Sequence, residues 1–357
     1  MAVSPRPHTL TLPVHPHQLE VQEFDAYDLI VDLRPESDFA VDHLPGAVSV
    51  PWTVAPTHHG GDPRRLPQRV PAEFVAADSA MVSVSYLLET RLSAIEPGAA
   101  VLLYCDSSGQ HSAEAAERLR RQGFIVDRIP GGWAGYQRWV AAGLEILARA
   151  LSFRWIRSAP GGAAQALVSA LADRGHQVLP MATICGQRWI PGLSMPGEPQ
   201  PSFGWLQSQL VDALRRHDPG EIVWVDEVVP TVDATEGPIV LVEALQRAPA
   251  IRIEVPRPAR EALLLGHLQA SGLAPSRLVG PVDRLAGHAA LSPGRIDVDV
   301  TAQALSDAAA VARILDGCDL IGAALATPAT PTQETTLRLD GFGAADLDAA
   351  VAALTSR

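Results

Sequence analysis

The chain has 357 residues, 47% apolar, 19% charged and 5% aromatic, enough for two or three ordinary domains that each bury a core. With 28 basic against 40 acidic residues its net charge is −12, which argues against a protein whose affinity comes from neutralising many phosphates over a basic surface. All 28 basic residues are arginine, so Schiff-base catalysis, a lysine general base and an ordinary Walker A ammonium are chemically excluded.

Residues 1–18 are rich in Pro and His and read as a flexible tail. They contain no apolar core of the signal-peptide kind, and no stretch approaches the roughly 18 apolar residues of a membrane span, so a cytoplasmic protein with no membrane partner is expected. From Tyr27 the pattern becomes regular. YDLIVDLR reads as a buried strand, PESDFAVDHLPGA as a short helix and turn, and VSVP as a second strand. Residues 52–78 carry several Pro and Gly and read as irregular, and a helix is predicted near 79–95. AAVLLYC is the next buried strand. HSAEAAERLRRQG is an amphipathic helix closed by Gly123, FIVDRIP is a strand, and Gly131-Gly132 turns the chain into a helix over WAGYQRWVAAGLEIL.

A second α/β unit begins near Leu151. Strand SFRWIRS, the Gly-rich turn APGG and helix AAQALVSALADRG are followed by strand HQVLP and helix FGWLQSQLVDALRRH. Strand EIVWVDE, a helix near PIVLVEALQRA and strand AIRIEVP complete the alternation, which implies parallel sheets. Beyond Gly272 the pattern is weaker: DLIGAALA reads as a strand and GAADLDAAVAALTSR as a closing helix.

Cys105, Cys185 and Cys318 are odd in number and far apart, so neither a disulfide framework nor a metal-ligand spacing is visible. The adjacent His58 and His59 lie in a Pro/Gly-rich stretch and read as solvated; no metal site and no cofactor are expected. Cys105 stands between a strand end and a helix N-terminus. There, backbone N–H groups and the positive end of the helix dipole favour thiolate, the reactive form of a nucleophilic or persulfide-carrying cysteine. The same position also suits a small buried hydrophobe.

Asp32-Leu33-Arg34, Ser37-Asp38-Phe39, His43-Leu44-Pro45-Gly46-Ala47, Pro51, the Cys105 loop and Gly131-Gly132-Trp133 occur in an order that resembles the rhodanese family of sulfur-transfer domains. In that family the Asp and Arg of the first motif brace the fold, which is the role expected of Asp32 and Arg34. A rhodanese domain followed by an α/β unit with a Gly-rich first turn resembles the bacterial tRNA 2-selenouridine synthase family over most of the chain. The loop Cys105-Asp106-Ser107-Ser108-Gly109-Gln110-His111-Ser112 keeps that family's spacing.

The resemblance implies a fold class of α/β type: a rhodanese-like parallel-sheet domain (19–147), a P-loop-NTPase-like α/β domain with a degenerate Walker A (148–272), and a small C-terminal α/β segment (273–357). It implies exchange of the 2-sulfur of wobble uridine for selenium, with selenophosphate or another sulfur or selenium donor, a geranylated intermediate, and tRNA carrying 2-thiouridine as partner. Cys105 would be the catalytic thiol and His111 the surviving basic residue of the loop. Ser107, Ser108, Gly109, Gln110 and Ser112 would shape the substrate cradle, and Arg188, where the family has a basic loop facing the phosphate site, would be a remnant substrate ligand.

Several positions depart from the family. Ala164 stands where the phosphate-loop lysine belongs and Gln165 where a Mg²⁺-binding hydroxyl belongs, leaving Gly161 and Gly162 as the remnant of the loop. His111 and Ser107 replace loop arginines. A guanidinium grips an anion at any pH, whereas an imidazole has lost most of its charge by neutral pH. The sequence therefore leaves three readings open: a selenouridine synthase-like transferase with reduced or lost phosphate-loop function, a rhodanese-type persulfide transferase for another acceptor, or a non-catalytic homologue that binds a protein partner.

Overall fold

In the computed structural model the described residues are 24–52, 95–106, 109–187, 189–190, 201–226, 239–289, 305–325 and 333–356. The expected tail, the irregular stretch at 53–78, the helix near 79–95 and the His58-His59 pair fall outside them. The chain divides into two compact units, Met1–Gly143 and Leu144–Arg357.

The first unit is built on strands β1 (Leu29–Asp32), β2 (Ala47–Ser49), β3 (Ala100–Tyr104) and β4 (Ile125–Arg128), all parallel, in the spatial order β2-β1-β3-β4. Helix α1 (Glu36–Val41) lies between β1 and β2 and helix α2 (Gln110–Arg121) between β3 and β4, and helix α3 (Gly132–Ala150) follows β4. Every residue of β3 is buried, as a central strand covered on both faces requires. On one face Ala115, Ala116 and Leu119 of α2 pack with Val31, Val101, Leu103 and Val126. Glu114–Arg118 and Glu117–Arg121 pairs one turn apart support the solvent side of α2, its last-turn arginines meet the negative end of the helix dipole, and Gly123 ends the helix with φ +93°.

The second unit holds β5 (Ser152–Ser158), β6 (Val178–Leu179), β7 (Ile222–Asp226), β8 (Ala250–Glu254) and β9 (Glu334–Arg338), again all parallel, in the order β6-β7-β5-β8-β9. Its helices are α4 (Ala163–Ala172), α5 (Met181–Ile184), α6 (Phe203–Leu214), α7 (Ile239–Arg247), α8 (Arg257–Ala270), α9 (Val279–Ala289), α10 (Asp307–Leu325) and α11 (Ala344–Thr355). Among the described residues, those beyond 273 thus supply three α-helices and the edge strand of this sheet. Mixed α/β architecture with parallel sheets is therefore the fold in both halves.

DLIGAALA is not a strand: its described residues form the last turns of α10. A short apolar run has no period of its own. The buried residues Val311, Ile314, Leu315, Cys318 and Ile321 recur at helical spacing and pack against Leu264 and Leu268 of α8 and Val282 of α9.

Candidate functional site

At the carboxyl end of the first sheet, β3 delivers Cys105, which is only 1% exposed, and the chain then turns through Gly109 into α2. Gly109 takes φ +68°, a left-handed conformation suited to glycine, and so aims the start of α2 back toward the strand end. Cys105 Sγ lies 3.4 Å from Ser112 Oγ and 3.8 Å from the Asp106 carbonyl oxygen. The Ser112 hydroxyl donates to the Gly109 carbonyl at 3.1 Å. A hydroxyl rotates freely, so the same oxygen accepts from a thiol and, once turned, donates to a thiolate.

The loop is held from behind. The Trp133 amide donates to the Cys105 carbonyl at 2.8 Å, and Trp133 lies under the Arg34 guanidinium, whose carbon sits 3.7 Å from the ring centre. Arg34 in turn grips the fully buried Asp32 through Nε, at 3.1 Å to both carboxylate oxygens, and Nη2 at 2.7 Å, and its Nη2 also donates to the Asp42 carbonyl at 2.6 Å. The Tyr104 hydroxyl accepts the Leu44 amide at 3.1 Å. Asp32 and Arg34 therefore brace the fold, and the brace reaches the backbone of Cys105.

The structure brings Cys105, Gly109, Gln110, His111 and Ser112 together at the start of α2; Ser107, Ser108 and Arg188 lie outside the described residues. The His111 ring stacks on Trp52, with centroids 5.3 Å apart and planes within 17°. Two contributors were missed from the sequence. Trp52 had no signal beyond being aromatic. Arg128, the last residue of β4, sends Nη1 to the Gly109 carbonyl at 3.3 Å, and a lone arginine at a strand end announces nothing.

In the second unit the Gly-rich turn follows β5. Gly161 and Gly162 have φ +122° and +96°. The Gly161 amide donates to the Trp189 carbonyl at 3.0 Å and the Ala164 amide to Ser158 Oγ at 3.1 Å. Trp189 stacks flat on His267, at 5.0 Å, and a Cβ on Gly162 would meet both rings. Burial lowers the His267 pKa, and its Nε2 has no hydrogen-bond partner among the described residues. Arg260 donates to the Pro160 carbonyl at 2.9 Å and pairs with Asp319. A cavity of about 760 Å³ adjoins this turn, bounded by Gln165, Thr183, Gln187, Trp189, His267 and Phe342.

Asp226 ends β7, 2% exposed; burial pushes its pKa up to about 6, and its Oδ1 is unpartnered among the described residues. Burial, with Asp226 nearby, pushes the Cys185 thiol up to about 12, and burial does the same to Cys318, so neither thiol offers a ready nucleophile.

Among the described residues no helix is long and apolar enough to cross a membrane, and no cluster of three or more His, Cys, Asp or Glu side chains is placed to hold a metal ion. Comparison with curated proteins gives no match. The parallel sheet, the cysteine at the end of its central strand and the double-glycine turn beneath it coincide with a family match over residues 17–138, and the first unit is a rhodanese-like domain.

Proposed function

We propose that the chain is a sulfur or selenium transferase of the tRNA 2-selenouridine synthase type, in which Cys105 carries the transferred atom. One observation carries this reading: Cys105 sits between the end of the central strand and the left-handed Gly109 that opens α2, with Ser112 Oγ 3.4 Å from its sulfur. In the loading step the thiolate attacks the outer sulfur of a donor. A new S–S bond forms to Cys105, the donor's own bond to that sulfur breaks, and the leaving group departs with the electron pair. Thiosulfate would leave as sulfite. The persulfide then passes its outer atom to an acceptor.

For the acceptor we infer 2-thiouridine in tRNA, with selenophosphate as selenium source, the geranylated 2-sulfur leaving the ring carbon as geranylthiolate as selenium takes its place, and the second unit acting on the acceptor. This inference is supported by the sequence resemblance and by the second unit itself, a parallel sheet whose first strand lies at its centre and runs through a double-glycine turn into α4. In such sheets ligands bind beyond the carboxyl ends of the strands, where the winding reverses. With Gly161 engaged by Trp189, and with neither lysine nor hydroxyl at 164 and 165, the turn is expected to have reduced or lost affinity for polyphosphate.

The test is intact-mass analysis after incubation with thiosulfate or selenophosphate, with Cys105→Ala as control. Gain of one sulfur atom from thiosulfate with release of sulfite, or of one selenium atom from selenophosphate with release of phosphite, supports the carrier role of Cys105, and no gain from either donor overturns it. Addition of geranyl diphosphate and thiolated tRNA then decides the acceptor: a modified nucleoside supports the tRNA reading. Loading without tRNA modification favours persulfide transfer to another acceptor.

A further inference from the structure

The Cys105 loop poses an electrostatic problem. A thiolate repels an anionic donor, by about 1 kcal/mol per pair of unit charges at 4 Å even in water, and Asp106 adds another carboxylate to the loop. Neither Gln110 nor His111 supplies a permanent positive charge, and the His111 ring is stacked on Trp52. The guanidinium fixed to this loop comes from another element. Arg128 reaches from the end of β4 and donates Nη1 to the Gly109 carbonyl, the same oxygen that accepts the Ser112 hydroxyl.

Cys105 Sγ, Ser112 Oγ, the Gly109 carbonyl and Arg128 Nη1 therefore form one chain of contacts at 3.4, 3.1 and 3.3 Å. Arg128 is exposed, and its side chain makes no other hydrogen bond or ion pair among the described residues. Among the described residues nothing else engages its other N–H groups, and a guanidinium of this kind grips an oxyanion.

We propose that Arg128 is the specificity-determining residue for the donor: it selects small oxyanionic sulfur donors by binding their anionic end while the sulfur to be transferred rests on Cys105. The proposal rests on the carrier role of Cys105. It places the cation on the neighbouring strand rather than in the loop.

The experiment compares two donors on the full chain, thiosulfate and the uncharged dimethyl trisulfide, by the rate at which Cys105 gains mass. With the trisulfide, attack on the central sulfur forms a new S–S bond to Cys105, expels methanethiolate and leaves a methyl trisulfide (a gain of CH3S2), whereas thiosulfate leaves one sulfur and expels sulfite, so neither donor needs an added oxidant or reductant and the two products differ in mass. Arg128→Gln is expected to lower the ratio of thiosulfate rate to trisulfide rate about five- to tenfold, chiefly by raising the half-saturating thiosulfate concentration. Arg128→Lys is expected to restore part of that loss, and high salt to erase much of the wild-type advantage. An unchanged ratio in Arg128→Gln, or an equal fall with both donors, overturns the proposal. Loading of the wild-type chain by trisulfide but never by thiosulfate overturns it too. Loading by neither donor instead removes the carrier role on which it rests.

Discussion

A Cβ placed on Gly132 would lie 2.8 Å from the Cys105 carbonyl oxygen and would overlap the Asp106 carbonyl outright. The turn after β4 therefore packs backbone against backbone under the cysteine loop. Its next residue, Trp133, donates its amide to the Cys105 carbonyl. Two segments nearly thirty residues apart in the chain thus fix each other with main-chain groups, and only a glycine with φ +56° permits the approach.

Gly132→Ala is accordingly expected to destabilise the first unit by at least ~3 kcal/mol, through the overlap and through the left-handed backbone. Urea denaturation followed by tryptophan fluorescence measures this. In whatever fraction remains folded, loading of Cys105 should be lost, because relief of the overlap displaces the loop. A variant with wild-type stability and loading would show that the loop tolerates the extra atom.

Arg34 and Asp32 are a buried pair, 6% and 0% exposed, and Arg34 also covers Trp133. Removing one partner strands the other charge without water. Arg34→Met should cost about 3–5 kcal/mol. Arg34→Lys should recover little of it, since a single ammonium cannot reproduce the forked contact to both carboxylate oxygens and the Asp42 carbonyl. Thermal unfolding of the two variants checks the order.

The bracing role of Asp32 and Arg34 was implied by the family resemblance that Asp32-Leu33-Arg34 and Gly131-Gly132-Trp133 help to carry, but the contact of Arg34 with Trp133 was not. The strands SFRWIRS and AIRIEVP were legible too, since apolar runs punctuated by Gly and Pro leave few alternatives. What could not be read depends on distance along the chain. Arg128 is an ordinary strand-end residue until the fold places Gly109 beside it, and Trp52 gains meaning only from His111. The α10 residues read as a strand failed for the opposite reason. Uniform apolarity erases the period that separates helix from strand, and only the α8 and α9 partners reveal which side is buried.

Ser112 is 2% exposed and touches both the sulfur and the Gly109 carbonyl. Ser112→Ala keeps the helix start, since alanine is a good helix former and Arg128 still holds Gly109. It removes the hydroxyl that can turn toward a thiolate. Loading from thiosulfate is expected to slow about tenfold with little change in stability. A rate equal to wild type would show that the Ser112 hydroxyl takes no part in loading.

Asp226 gives the pH prediction. Its pKa is raised from 3.8 to about 6 by burial, opposed by the Ala182 amide, which donates to Oδ2 at 3.3 Å. The folded chain therefore holds a proton between about pH 4 and 6 that the unfolded chain has released. Stability contributed at this residue is greatest below that window, falls as pH rises through it, and reaches its full penalty above pH 6, on the order of 3 kcal/mol. Asp226→Asn is neutral at every pH and keeps an oxygen for Ala182. It should stabilise the second unit by about 1–2 kcal/mol at pH 8, the remainder offset by the unpaired amide N–H groups, and gain nothing near pH 4. Thermal unfolding of wild type and variant across this range decides the matter: a gain independent of pH would mean that the carboxyl is not the group that titrates.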